Sequence, residues 1–157
     1  MMPFWYIGLV VLLFCSCRTG KDAAKENTIS YSQQLSSQSY LIKGIREKTL
    51  NNPEDAIKNF EKATGVNPRN DAAYYEMSRF AYEDKEYPKA LYLIVMALDS
   101  DPDNHWYLDL KTKILKKLND TDALILHYTK LCSLFPDKTD YQIELADQLI
   151  KVGEFKK

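Results

Sequence analysis

Apolar positions recur at offsets of four and three in three stretches of the chain: Ala56, Phe60 and Ala63, then Ala90, Ile94 and Ala97, then Leu124, Tyr128 and Leu131. This is one stripe of a 3.6-residue helix, and the three stripes stand 34 residues apart. Gly44, Ser78, Thr112 and Ala146 keep the same step, each a small residue, and Tyr40, Tyr74 and Leu108 hold a bulkier column four residues earlier. Pro68, Pro102 and Pro136 share the step where a helix should already have ended. Pro53 and Pro88 stand just ahead of two stripes, where a proline in the first turn removes no helical hydrogen bond. The pattern predicts repeating pairs of antiparallel helices that approach closely at the small residues.

A 34-residue unit with an aromatic, a small residue, Ala, a bulky residue, Ala and Pro in that order resembles the tetratricopeptide repeat family. The second unit carries the match best, through Tyr74, Met77, Ser78, Ala90, Ile94, Ala97 and Pro102. Lys43 and Glu47 occupy columns that are usually apolar, and Leu124 and Leu131 replace alanines, so packing in those units is expected to be irregular. The resemblance implies an all-α fold, a right-handed α-solenoid of antiparallel helix pairs, with repeats at 37–70, 71–104 and 105–138. Residues 139–157 would form the first helix of an incomplete fourth unit, with Gly153 where an inter-helix turn belongs. Ile143, Leu145, Leu149, Ile150 and Phe155 make that end apolar, where a solenoid normally closes with a polar cap.

The first residues differ in kind. FWYIGLVVLLFC, from Phe4 to Cys15, holds no charge and falls short of the roughly 20 apolar residues of a spanning helix, which suits an export leader over 1–16. The following FCSCRTG resembles the cleavage box of bacterial lipoproteins, with small Ser16 directly before Cys17, the residue that would be lipidated. Phe14 departs from the leucine preferred there, and no Lys or Arg precedes the apolar stretch. The resemblance implies a protein anchored by lipid in the cell envelope, on an outer or periplasm-facing membrane. An uncleaved N-terminal membrane anchor is the alternative. Residues 17–36 are polar apart from Ala23, Ala24, Ile29, Tyr31 and Leu35 and are expected to be a tether of about 20 residues reaching about 25 Å. An extension of the first helix through Tyr31 and Leu35 is the other reading.

Charge excludes some partners. The net charge is -1, from 21 basic and 22 acidic residues, so no broad basic field draws the chain to nucleic acid. Lys111, Lys113, Lys116 and Lys117 alternate with Ile114, Leu115 and Leu118, as on the wet face of an amphipathic helix. His105 and His127 fall on different helices, and no metal-ligand, phosphate-loop or nucleophile motif occurs. Cys132 is the single thiol of the repeat units, among Leu131, Leu134 and Phe135 as a small core residue would be. The chain is therefore expected to be no enzyme, with no cofactor, metal or small-molecule substrate.

The family's first helices line a concave face. The resemblance therefore assigns a partner groove to Tyr75, Arg79 and Tyr82, with Ala72, and to Trp106, Asp109 and Lys113, with Lys116. Asp140, Ile143, Asp147 and Ile150 continue it. Aromatic rings beside cations suit capture of a protein segment, although Tyr75, Tyr82 and Trp106 also suit packing between units. The family's clamp for chaperone C-terminal carboxylates uses Lys and Asn where Leu41 and Ile45 stand here. The expected function is a protein-binding scaffold or adaptor; the alternative is a docking module of an enzyme or transport component that continues past Lys157.

Overall fold

Local signals start and stop each helix. Ser30 opens the first: its Oγ accepts from the Gln33 amide at 3.3 Å, and the Gln33 side chain accepts from the Ser30 amide at 3.0 Å, a reciprocal cap that satisfies two orphan donors. In a computed structural model, which describes residues 29–155, the chain forms α1 (Tyr31–Thr49), α2 (Pro53–Val66), α3 (Asp71–Glu83), α4 (Tyr87–Ser100), α5 (His105–Leu118), α6 (Thr121–Leu134) and α7 (Thr139–Phe155). Pro53 and Pro88 sit in the first turns of α2 and α4. The described residues contain no strand, and no described helix is long and apolar enough to cross a membrane. Residues 31–36 belong to α1, so the expected tether is shorter than 17–36 at its C-terminal end. The leader and Cys17 lie outside the described residues.

Helices pair as α1 with α2, α3 with α4 and α5 with α6, and α7 packs on α6. The turns within the pairs are built alike. Asn51, Lys85 and Asn119 have φ of 60°, 63° and 53°, and they are 34 residues apart. Lys85 N donates to Tyr82 O at 3.1 Å and Glu86 N to Ala81 O at 2.8 Å, and the same two bonds recur around Asn51 and Asn119. These are Schellman ends, in which a left-handed residue reverses the chain while satisfying carbonyls of the last turn. Asparagine tolerates that conformation; Lys85 is strained there.

The repeated columns form the core. Ala56, Phe60, Ala63, Ala90, Ile94 and Ala97 are fully buried, as Leu124, Tyr128 and Leu131 nearly are. A Cβ built on Gly44 would lie 2.5 Å from the Phe60 ring, so the ring fills the space a side chain would take. Ser78 uses its smallness differently, donating from Oγ to Ala90 O at 2.8 Å. Ser37 links three helices: its Oγ donates to Ala63 O at 2.8 Å and accepts from Asn70 Nδ2 at 2.7 Å, while Asn70 caps α3 through Ala73 N.

The third pair is looser, in line with Leu124 and Leu131, whereas the first pair packs as closely as the second despite Lys43 and Glu47. The α5 and α6 backbones approach less closely than those of the first two pairs, Thr112 is half-buried, and His127 enters between them. Its Nε2 lies 2.9 Å from Thr112 Oγ1 and 3.1 Å from Leu108 O. Burial, with Lys111 and Lys130 nearby, lowers its pKa to about 4.

The fourth unit departs from expectation at two residues. Ala146 shares the column of buried Gly44 and Ser78 but is exposed, and Gly153, 34 residues after Asn119, stays inside α7 with no positive φ. Within the described residues no second helix covers this unit, so nothing buries Ala146 and nothing turns the chain at Gly153. Ile143, Leu149 and Ile150 are exposed there too, while Leu145 packs against the Tyr128 cluster.

Gly44→Ala is expected to destabilise the fold by about 1 to 2 kcal/mol, because overpacking against Phe60 outweighs the helix propensity gained. Gly65→Ala, with nothing within 4 Å of the added Cβ, should stabilise by up to about 1 kcal/mol; urea denaturation compares the two. His127 takes its proton more readily unfolded, so its contribution is intact above the ordinary histidine range and is lost as pH falls toward about 4. Between about pH 7 and 5 it should remove about 2 kcal/mol of stability. The difference in denaturation midpoint between wild type and His127→Gln should therefore shift toward the variant on acidification.

Candidate functional site

The side chains expected to form a groove come from first helices of neighbouring units. Tyr75, Arg79 and Tyr82 lie one turn apart along α3, and Trp106, Asp109 and Lys113 do the same along α5, so each set forms one helix face. The two helices touch little, and they do so where Tyr107 meets Tyr75 and Asp71. Beyond that contact, Tyr75, Arg79, Tyr82, Asp109 and Lys113 line one cavity of about 210 Å³. Five of the six expected residues therefore meet. Trp106 does not line it; it is 69% exposed, one turn before Asp109.

Aromatic rings make the floor. Tyr75 packs on Tyr107 with ring centroids 4.9 Å apart, and Tyr82 lies 5.7 Å from Tyr87. Tyr107 is buried and donates its hydroxyl to Asp71 Oδ2 at 2.8 Å. Burial, with that bond to a carboxylate, pushes its pKa well above the usual tyrosine value. Tyr75 and Tyr82 are half-buried, so packing and an open ring face coexist in the same residues.

Carboxylates balance the cations on this side. Arg79 stands 6.0 Å from the Tyr75 ring centroid and reaches Glu76 at 3.5 Å and Glu83 at 4.0 Å. Lys113 Nζ is 2.7 Å from Asp109 Oδ2, and that bond raises the lysine pKa. Lys48 pairs with Glu76 at 2.6 Å, Lys116 with Glu144 at 2.8 Å and Lys151 with Asp147 at 2.7 Å. The exposed pairs among them add little stability, but a ligand anion must compete with each of them. Asp140, Ile143, Asp147 and Ile150 are all exposed on α7 and lie outside the cavity.

Glu83 and Leu110 also line the cavity, and neither was expected. Glu83 stands four residues after Arg79, a spacing that signals an ion pair; Leu110 gives no comparable signal, since a leucine mid-helix suits any core. Lys111, in the lysine run, is half-buried, and burial lowers its pKa. Cys132 is half-buried rather than in the core. No group of three metal-ligating side chains forms among the described residues.

Residues 49–114 match a family model described as a tetratricopeptide repeat, a span that takes in α2, both helices of the second unit and most of α5. Solved structures resemble the chain in fold. The first tetratricopeptide domain of Spaghetti (RPAP3), bound to the HSP90 peptide SRMEEVD, is 13% identical with a TM-score of 0.60, covering 76% of this chain and 98% of that one. The N-terminal domain of stress-induced protein-1 from C. elegans is 16% identical with a TM-score of 0.60, covering 82% and 100%. The second tetratricopeptide domain of human RPAP3, in complex with the HSP70 peptide SGPTIEEVD, is 14% identical with a TM-score of 0.57, covering 74% and 95%. No curated protein matches the chain.

The contacts separate the two roles of the aromatic residues. Tyr75→Ala should cost about 2 kcal/mol through loss of its packing on Tyr107, whereas Arg79→Ala should stay within about 0.5 kcal/mol of wild type. Thermal or urea unfolding of both variants checks the ranking.

Proposed function

We propose that this chain is a non-catalytic scaffold, held at an envelope membrane by lipid on Cys17, that captures a segment of another protein between α3 and α5. The observation that carries the reading is convergence: Tyr75, Arg79, Tyr82, Asp109 and Lys113 come from two units and meet around one cavity. The tetratricopeptide match over 49–114 supports a role in protein binding. Rigid rings with charged groups at their edges offer contact area at little entropic cost.

The chemistry of the ligand differs from that in the similar solved structures. Two of those hold peptides ending in EEVD, which are acidic. Here Arg79, Lys113, Lys48 and Lys116 each have a carboxylate within 4 Å, and α1 presents half-buried Leu41 and exposed Ile45. An acidic tail would have to break existing ion pairs. A neutral or basic segment with an aromatic or proline side chain meets the open rings without that penalty.

A photocrosslinking residue placed at Tyr82 in membranes of the native host should give a discrete adduct, identified by mass spectrometry, that the same residue at exposed Tyr92 on α4 does not give. Equal adducts at the two positions, or none at Tyr82, would refute the groove. Cys17→Ala should move the protein from the membrane pellet to the soluble fraction; retention in the pellet would refute the lipid anchor.

A further inference from the structure

The outer face of α1 combines apolar side chains with cations. At the columns where α3 places Ala73, Met77 and Phe80 against the preceding pair, α1 places Ser39, Lys43 and Arg46, and all three are exposed. Apolar residues remain beside them. Tyr31 is 76% exposed, Leu35 48% and Ile42 66%; with Ile45 they lie within about a quarter of the helix circumference, over about 21 Å of its length. Leu50, just past α1, is 60% exposed on the Lys43 side of this row.

A protein helix from a preceding unit would find a serine and two cations where α3 supplies Ala73, Met77 and Phe80. A bilayer surface finds what it needs: a tyrosine and aliphatic side chains to enter the interface, and flanking cations for anionic headgroups. Lys43 lies over the Tyr40 ring at 5.3 Å, and Arg46 remains 69% exposed although bonded to Glu47. The chain before α1 says what brings the surface near. Thirteen residues, 18–30, separate Cys17 from Tyr31, so the two are at most about 50 Å apart whatever path the chain takes. An anchor at Cys17 therefore holds α1 within reach of its own membrane.

We propose that α1 is a membrane-contacting helix, with Tyr31, Leu35 and Ile42 seated in the headgroup region of an anionic bilayer and Lys43 and Arg46 facing its phosphates. The proposal rests on the anchor reading. Together the anchor and this face fix the orientation of the stack, with its N-terminal pair at the bilayer.

The test uses the full chain carrying Cys132→Ser, reconstituted in vesicles of phosphatidylcholine and phosphatidylglycerol. An environment-sensitive fluorophore is placed at Ile42→Cys or at Leu126→Cys, the latter a 75% exposed position on α6. Brominated lipid should quench the Ile42 probe at least about two-fold more than the Leu126 probe. Lys43→Glu with Arg46→Glu, or vesicles of phosphatidylcholine alone, should reduce the difference. Protein that floats with the vesicles but shows equal quenching at both positions overturns the proposal and leaves the anchor standing. Protein that fails to float overturns the anchor and this inference with it. A probe at 42 shielded from aqueous iodide but unquenched by brominated lipid reports a protein contact, and also overturns it.

Discussion

Close approach of two helices at a position without bulk is the constraint on which the structure depends. Gly44 has no room for a methyl group because Phe60 occupies it, and Ser78 turns its small side chain into a bond with the Ala90 carbonyl. With the paired helices so near, alanines at 56, 63, 90 and 97 suffice to fill the remaining space and leave one large, fully buried residue per pair, Phe60 or Ile94, as the wedge. Interiors packed to crystal-like density tolerate few other solutions. The third pair shows the alternative: leucines replace the alanines, the helices separate, and a buried histidine bonded to Thr112 and Leu108 enters between them.

That packing also makes the surface. First helices of successive units diverge beyond the contact at Tyr107, and the space between α3 and α5 is the cavity where Tyr75, Arg79 and Lys113 meet. Tyr75 serves both purposes, with one side against Tyr107 and the rest half-exposed. Packing and binding are thus not rival roles for that ring. The ion pairs Arg79–Glu76 and Lys113–Asp109 leave a trough of mixed sign, suited to selection by shape and ring contact rather than by long-range charge.

The cavity was largely legible in the residue order because helix faces repeat. Once the helices are known, residues at 75, 79 and 82 share a face, as do those at 106, 109 and 113. The sequence puts Trp106 in the groove because a face defines a direction along the helix and not where the neighbouring helix diverges. Ala146 and Gly153 depart from their columns for a related reason: a column predicts burial only if the opposing helix is there. The capping of α1 at Ser30 by Gln33 was present in the residues, yet a polar stretch capped by polar residues looks like a tether until its buried side, Ser37 and Gly44, is seen against α2.

By itself, the amino-acid order determined the helical units, their length, the columns that fill the core and the faces left for a partner. Those properties follow from local geometry, which every unit repeats. The tertiary structure alone decided which cations are paired across helices, where α3 and α5 part, and that Asn51, Lys85 and Asn119 take the left-handed conformation in step. The first two depend on the distance between elements, and the third on how each last helical turn is closed. Side-chain periodicity encodes direction around one helix, whereas separation between two is set by the sum of everything packed between them.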